Sequence, residues 1–243
     1  MPKLNGSTRE RPRVHVTSTL AKKILSGAFA PGMKLPTEIE LGEQLGVSRT
    51  ALREAIRMLA GKGLIESRTR SGTVVLSTAH WNHLDPELLS WREELAPDLN
   101  FVRGLTEARQ VIEPAAARFA AERATGQDLG QIQQSFDAMC EADAKDIEAS
   151  VRADEGFHLA VLAASHNPLF IGFGAMIGTA LRSSFRLTTS ASENFAATLD
   201  MHGEVLEAIR MRRPDQASTL MAQLLDIASR DLARVIARAP TGK

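Results

Sequence analysis

The sequence predicts a mainly α-helical protein with two parts. Apolar residues recur at helical spacing along most of the chain, and a single pair of short strands is expected before residue 78. The charge divides at the same place: residues 1–78 carry 13 Lys and Arg against 6 Asp and Glu, and the remainder carries 16 against 23. A basic first part indicates a polyanionic partner, which the acidic remainder does not favour.

Four segments follow from this division. Residues 1–13 are polar and are interpreted as a flexible arm, residues 14–78 form the first domain, residues 79–98 a linker and residues 99–238 a helical domain. Within the first domain, Val16, Leu20 and Ile24 lie at helical spacing and predict a helix that starts at Val14.

A second helix is predicted to begin after Thr37. The Thr37 hydroxyl can cap it, and Glu40, three residues later, can complete a capping box. Gly46 ends this helix and Ser48 caps a third.

The third helix has distinct faces. Its outer face begins with Arg49, Thr50 and Arg53, while the inner face consists of four apolar residues: Leu52, Ala55, Ile56 and Leu59. Two short helices joined by a glycine turn, with basic residues leading the second, are typical of a DNA-binding helix-turn-helix. A solvated basic face is the alternative.

The segment after Gly63 predicts a β-hairpin. Leu64-Ile65 and residues 73–76 are apolar, and the polar turn between them carries Arg68 and Arg70 near its tip. A hairpin behind a helix-turn-helix forms a wing, so the first domain is predicted to be a winged helix.

The run from Pro31 to Val75 resembles the winged-helix domain of the GntR family of bacterial transcription regulators, over residues 14–76. The resemblance implies contacts to DNA bases, phosphates and the minor groove from eight residues: Thr37, Ser48, Arg49, Thr50, Arg53, Arg68, Arg70 and Gly72. Ile39 departs from the pattern, because some relatives have an arginine there. A winged helix that binds protein remains an alternative.

The linker contains both tryptophans, Trp81 and Trp91, together with several leucines. We interpret it as a segment that packs against a domain; stacking of a tryptophan on a ligand is the alternative. The one cysteine, Cys140, excludes an internal disulfide, and no apolar run approaches the roughly 18 residues that cross a membrane. No signal peptide is evident, so a cytoplasmic location is expected.

The second domain is predicted to be a bundle of six or seven helices, one of which runs from Leu169 to Leu187. Asp154 and His158 are four residues apart and share a helix face, and His202 lies on a later helix, which together is the composition of a metal site. A surface Asp–His pair is the alternative. Arg109 lies in an apolar stripe, so it either pairs with Glu113 or binds a ligand carboxylate.

The second domain resembles the FCD effector domain of the FadR subfamily of GntR regulators, on residues 109–117, Asp154 with His158, Asn167-Pro168, and His202. The resemblance implies a divalent metal, zinc or nickel, held by an aspartate and three histidines. Asp154, His158 and His202 match the first three, and Leu224 stands near the fourth position. Either three side chains hold the metal with water or effector oxygens, or these residues bind the effector directly.

The linker 81–91 and residues 111–125 resemble repressors of sugar-acid operons, those of galactonate in particular. The resemblance implies a sugar-acid effector bound by five residues: Arg109, Asp154, His158, Arg182 and His202. The predicted function is a homodimeric, ligand-responsive regulator, a repressor that reads a palindromic operator in double-stranded DNA. A metal-dependent hydrolase and a DNA binder without effector are the alternatives.

Overall fold

A computed structural model describes residues 10–68, 72–142, 146–187 and 191–238. The chain divides into two compact units, residues 1–96 and 97–243. The first unit contains α1 (Glu10–Leu25), α2 (Glu38–Leu45), α3 (Arg49–Gly61), β1 (Ile65–Arg68), β2 (Gly72–Val75), a short 3₁₀ helix (Thr78–His80) and α4 (Pro86–Glu93). The start predicted for α1 at Val14 was wrong: the helix includes Glu10 and continues through the polar residues before Val14. Residues 1–9 of the predicted arm lie outside the described residues.

The predicted local signals at α2 and α3 are present. Thr37 and Glu40 form the reciprocal capping box at the start of α2, and Gly46 ends the helix in the left-handed conformation with φ of 63°. The Ser48 side chain accepts the backbone N–H of Ala51 at the start of α3. Each cap satisfies backbone groups that the helix itself leaves unpaired, so the helix-turn-helix begins and ends where its sequence dictates.

β1 and β2 pair antiparallel, with Ile65 opposite Val75 and Arg68 opposite Gly72. The core of the first unit includes buried leucines of α1 and α3 and both linker tryptophans. Trp81 also donates its indole N–H to the carbonyl of Leu76. The linker therefore packs against the winged helix, as its apolar residues predict.

The second unit contains seven helices among its described residues: α5 (Leu99–Arg123), α6 (Gly126–Glu141), α7 (Ile147–Ala164), α8 (Pro168–Gly172), α9 (Gly174–Leu187), α10 (Ala191–Arg210) and α11 (Pro214–Arg238). The predicted single helix from Leu169 to Leu187 was wrong, because Phe173 separates α8 from α9 between two glycines that disfavour helix. Within the described residues, every helix is too short or too polar to cross a lipid bilayer.

Candidate functional site

A cluster of charged and polar side chains lies inside the helical unit. α5 supplies Arg109 and Glu113, α7 supplies Asp154 and His158, and α10 supplies His202. Their exposed fractions range from 1% for Glu113 to 7% for Asp154. Burial of five such groups is costly unless they satisfy one another, so their contacts decide what the cluster can do.

Both histidines are oriented through their Nδ1 atoms. His202 Nδ1 lies 2.8 Å from the carbonyl oxygen of Thr198, which can only accept, so Nδ1 carries the proton. His158 Nδ1 contacts a carboxylate oxygen of Glu113. A histidine whose Nδ1 is held by a carbonyl or carboxylate presents Nε2 to a metal or ligand.

The two Nε2 atoms converge on Asp154. His202 Nε2 lies 3.2 Å and His158 Nε2 lies 3.7 Å from Asp154 Oδ1. The candidate ligand atoms of the three residues all lie within 4.8 Å of one another. His202 Nε2 is buried and, within the part of the chain that the structure describes, makes no hydrogen bond of good geometry beside its contact with Asp154. This donor set fits a divalent metal with imidazole ligands.

Of the two roles that the sequence context of Arg109 left open, the structure contains the ion pair with Glu113. Arg109 Nε donates to Glu113 Oε1 at 2.5 Å, which is the predicted ion pair, and Arg109 Nη2 lies 3.4 Å from His158 Nε2. The Arg109 guanidinium therefore lies beside the set formed by Asp154, His158 and His202.

The electrostatics of the cluster keep both carboxyl groups ionised. Burial raises the pKa of Glu113, but the Arg109 guanidinium and the His158 imidazole outweigh burial and lower that pKa to about 2. The pKa of Asp154 also lies below its ordinary value, because His202, His158 and Arg109 outweigh the effect of burial.

Apolar groups surround the set. The Phe157 ring meets the rings of His158 and His202 edge-on, with centroids 5.8 and 5.0 Å apart. Leu224, which stands near the fourth ligand position that the resemblance implies, is buried in the same apolar cluster as Phe157 and offers no metal ligand. A metal at this site would keep coordination positions for oxygens from outside the protein.

Arg182 and Glu113 make contacts that the sequence did not predict. Arg182, a predicted effector residue, forms an ion pair with Glu155 on α7. Glu113 was predicted only as a partner of Arg109, and its contact with His158 was missed. The two residues lie on different helices, and their spacing in the sequence carries no periodic signal.

The predicted DNA face lies on α2 and α3. Thr37, Ser48, Arg49, Thr50 and Arg53 are all exposed. Arg53 Nε donates to Glu38 Oε2 at 2.8 Å, and 65% of the Arg53 side chain is exposed. The guanidinium is thus held at Nε by the preceding helix.

The wing carries the remaining predicted contacts. Arg68 on β1 pairs with Glu66 at 2.8 Å and is more than half exposed. Gly72 begins β2 with φ of 80°, a conformation that favours glycine. Arg70 lies outside the described residues.

Comparison with known proteins decides the family. Residues 12–75 match the bacterial regulatory proteins of the gntR family, and residues 105–226 match the FCD domain. The chain is also 36% identical over 221 residues to the galactonate operon transcriptional repressor of Escherichia coli K12, covering 90% of this chain and 96% of that protein. The chain belongs to the GntR family of regulators with an FCD domain. It is a DNA-binding transcription regulator and not an enzyme. The predicted family is therefore confirmed, and so is the prediction of a regulator.

Other relatives extend the comparison. The Uxu operon transcriptional regulator of Escherichia coli K12 is 32% identical over 173 residues, which cover 69% of this chain and 63% of that protein. Among solved structures, the Listeria monocytogenes protein described as Lar, which controls expression of the agr system, superposes with a TM-score of 0.66 at 20% identity. That match covers 96% of this chain and 99% of the other, and it supports the fold.

Proposed function

We propose that this regulator is a repressor of a sugar-acid operon that leaves its operator when a carboxylate effector binds in the helical unit. The observation that carries the proposal is the buried set of Arg109, Asp154, His158 and His202. An arginine suits a carboxylate, and the Asp/His set suits hydroxyl groups or a metal that binds them. The names of two relatives, which refer to the galactonate and Uxu operons, support an acidic carbohydrate.

We further propose that Asp154, His158 and His202 hold a divalent metal, zinc or nickel. With neutral histidines, Arg109, Glu113 and Asp154 sum to one net negative charge, which opposes entry of an anion. A divalent cation reverses that sign and supplies a Lewis acid for effector oxygens. Direct binding of the effector to the same residues without metal is the competing arrangement.

On the DNA side, we propose that two copies of the chain read the halves of a palindromic operator, since one recognition helix contacts too few bases to be specific. Arg49, Thr50 and Arg53 would contact bases and phosphates in the major groove, and Thr37 and Ser48 would meet phosphates at helix N-termini. The wing, with Arg68, Arg70 and Gly72, would follow the minor groove. Glu38 leaves the Nη atoms of Arg53 to form these bonds.

The test combines melting and DNA binding on the full chain. After treatment with a chelator, zinc or nickel at a hundredfold its Kd should raise Tm by roughly 5–10 °C, because the ion binds only the folded protein. D-galactonate should then weaken binding to an inverted repeat from the neighbouring promoter about 5- to 150-fold in fluorescence anisotropy, the usual range of coupling between two sites.

His202→Ala should remove the response to metal. His166→Asn is the matched control: His166 is an exposed imidazole in the left-handed region that asparagine tolerates, so its variant should respond as the wild type does. If galactonate stabilises the protein without metal, the effector binds directly to Arg109 and the Asp/His residues. If no sugar acid changes operator affinity, the proposed effector class is wrong.

A further inference from the structure

Ser150 carries a buried hydroxyl group that forms no hydrogen bond with the residues that the structure describes. It lies on α7 with 4% of its surface exposed, and its Oγ has no hydrogen-bond partner among residues 10–68, 72–142, 146–187 and 191–238. Two other buried helical hydroxyls differ in this respect. Thr106 Oγ1 donates to the Val102 carbonyl at 2.9 Å, and Ser165 Oγ donates to the Leu162 carbonyl at 2.6 Å. An unpaired buried hydroxyl costs free energy, so it points to a partner that arrives from outside the chain.

Ser150 lies on the helix face that carries two residues of the candidate site. Ser150, Asp154 and His158 are spaced by four residues along α7, so all three lie on one face of that helix. All three are buried. At a rise of 1.5 Å per residue, Ser150 lies about 6 Å along the helix axis from Asp154, on the side away from His158.

We propose that Ser150 is a specificity-determining contact of the effector, and that the effector is a polyhydroxy acid of five or six carbons. The inference rests on the proposed function. One end of the ligand binds at Asp154, His158 and Arg109, and a hydroxyl group toward the other end exchanges a hydrogen bond with Ser150 Oγ.

The number of hydroxyl groups distinguishes long acids from short ones at this site. Each end of a bound acid adds a hydrogen bond of about 2.8 Å, so length alone does not decide which acid spans the turn between Asp154 and Ser150. Lactate, named in another relative, a putative L-lactate dehydrogenase operon regulatory protein of Escherichia coli K12, has a single hydroxyl group beside its carboxylate. With both of these groups bound at Asp154, His158 and Arg109, lactate has no hydroxyl group left for Ser150, whereas an acid of five or six carbons has further ones.

The experiment measures Kd by calorimetry on the full-length protein for L-lactate, ribonate and D-galactonate. Ser150→Ala should weaken binding of the five- and six-carbon acids about 3- to 10-fold, the effect of one hydrogen bond, and leave any binding of lactate unchanged. The Tm of the ligand-free protein should stay the same or rise, since the variant removes an unpaired polar group.

Ser165→Ala is the matched control, at the C-cap of the same helix. Its hydroxyl is bonded within the protein, so this variant should lower Tm and leave the ratio of affinities for long and short acids unaltered. Equal affinity of wild type and Ser150→Ala for galactonate would overturn the Ser150 contact while the proposed function stands. If none of the acids binds the wild type, the contact and the proposed effector class both fall.

Discussion

Glu113 satisfies two buried partners at once. One of its oxygens accepts from Arg109 Nε, and the other contacts His158 Nδ1. The carboxylate therefore balances the charge of Arg109 and also orients the His158 ring. Removing one partner of such a buried pair leaves an uncompensated charge in a medium that solvates it poorly.

Glu113→Gln should lower the free energy of unfolding by about 3–5 kcal/mol, because the amide keeps the shape but removes the buried carboxylate that Arg109 and His158 contact directly. Urea denaturation at neutral pH measures the loss. Glu122→Gln is the control: Glu122 pairs with Arg118 at the same spacing on the same helix, but both side chains are more than one-third exposed. Its loss should stay below about 1 kcal/mol. Equal losses for the two variants would contradict the importance of burial.

The residues of the site were predictable to different degrees. The spacing of four between Asp154 and His158 placed both on one helix face, and Arg109 stood out as a charge in an apolar stripe. His202 entered chiefly through the family resemblance. The contact of Glu113 with His158 depends on the packing of α5 against α7, which no local pattern encodes.

The turn between α3 and β1 is the element where backbone geometry is most restrictive. Gly63 has φ of 74°, and a Cβ at this position would lie 2.0 Å from the carbonyl oxygen of His80. The backbone before Trp81 thus passes directly over the turn. Nearby, Lys62 pairs with Asp85 at the start of α4, which ties the linker to α3.

Gly63→Ala should destabilise the first unit by about 2 kcal/mol or more, because the added methyl group both strains the backbone and overlaps a carbonyl. Gly61→Ala provides the control two residues away. Gly61 is helical, no atom lies within 4 Å of its added Cβ, and alanine favours helix by up to about 1 kcal/mol. Thermal melting of the two variants should therefore shift in opposite directions. A lower Tm for both would refute the steric argument.

Helices and strands were predicted well where the sequence pattern that specifies them is formed by neighbouring residues. The capping box of Thr37 with Glu40, the glycine end of α2 and the strand pair of the wing all depend on residues within a few positions of one another. The break between α8 and α9 and the early start of α1 were missed. At both places apolar spacing and helix propensity gave conflicting or incomplete signals about where the helix ends.

For the whole molecule, the charge division of the sequence falls close to the boundary between the two structural units. The basic unit carries the exposed arginines of the recognition helix, and the acidic unit encloses the polar cluster. The two-part organisation was predictable from charge and periodicity. The contacts within the cluster were not, because they join side chains on three different helices.

The proposed division, with DNA binding in the first unit and ligand binding in the second, predicts variants that lose one function and keep the other. Arg53→Ala should reduce operator affinity by about 1–3 kcal/mol if the guanidinium bonds a base edge, and the rise in Tm on addition of metal or sugar acid should match the wild type. Fluorescence anisotropy on operator and random duplexes, together with melting curves, measures both quantities.

The control for this variant is Arg118→Ala, an exposed arginine of the helical unit that should leave operator affinity unaltered. A loss for Arg53→Ala that is equal on operator and random DNA would assign Arg53 to the phosphate backbone, because such contacts carry no sequence information. A variant that also lost its melting response would contradict the separation of tasks. In that case the Arg53→Ala substitution would change the folding of the whole chain and not only its contact with DNA.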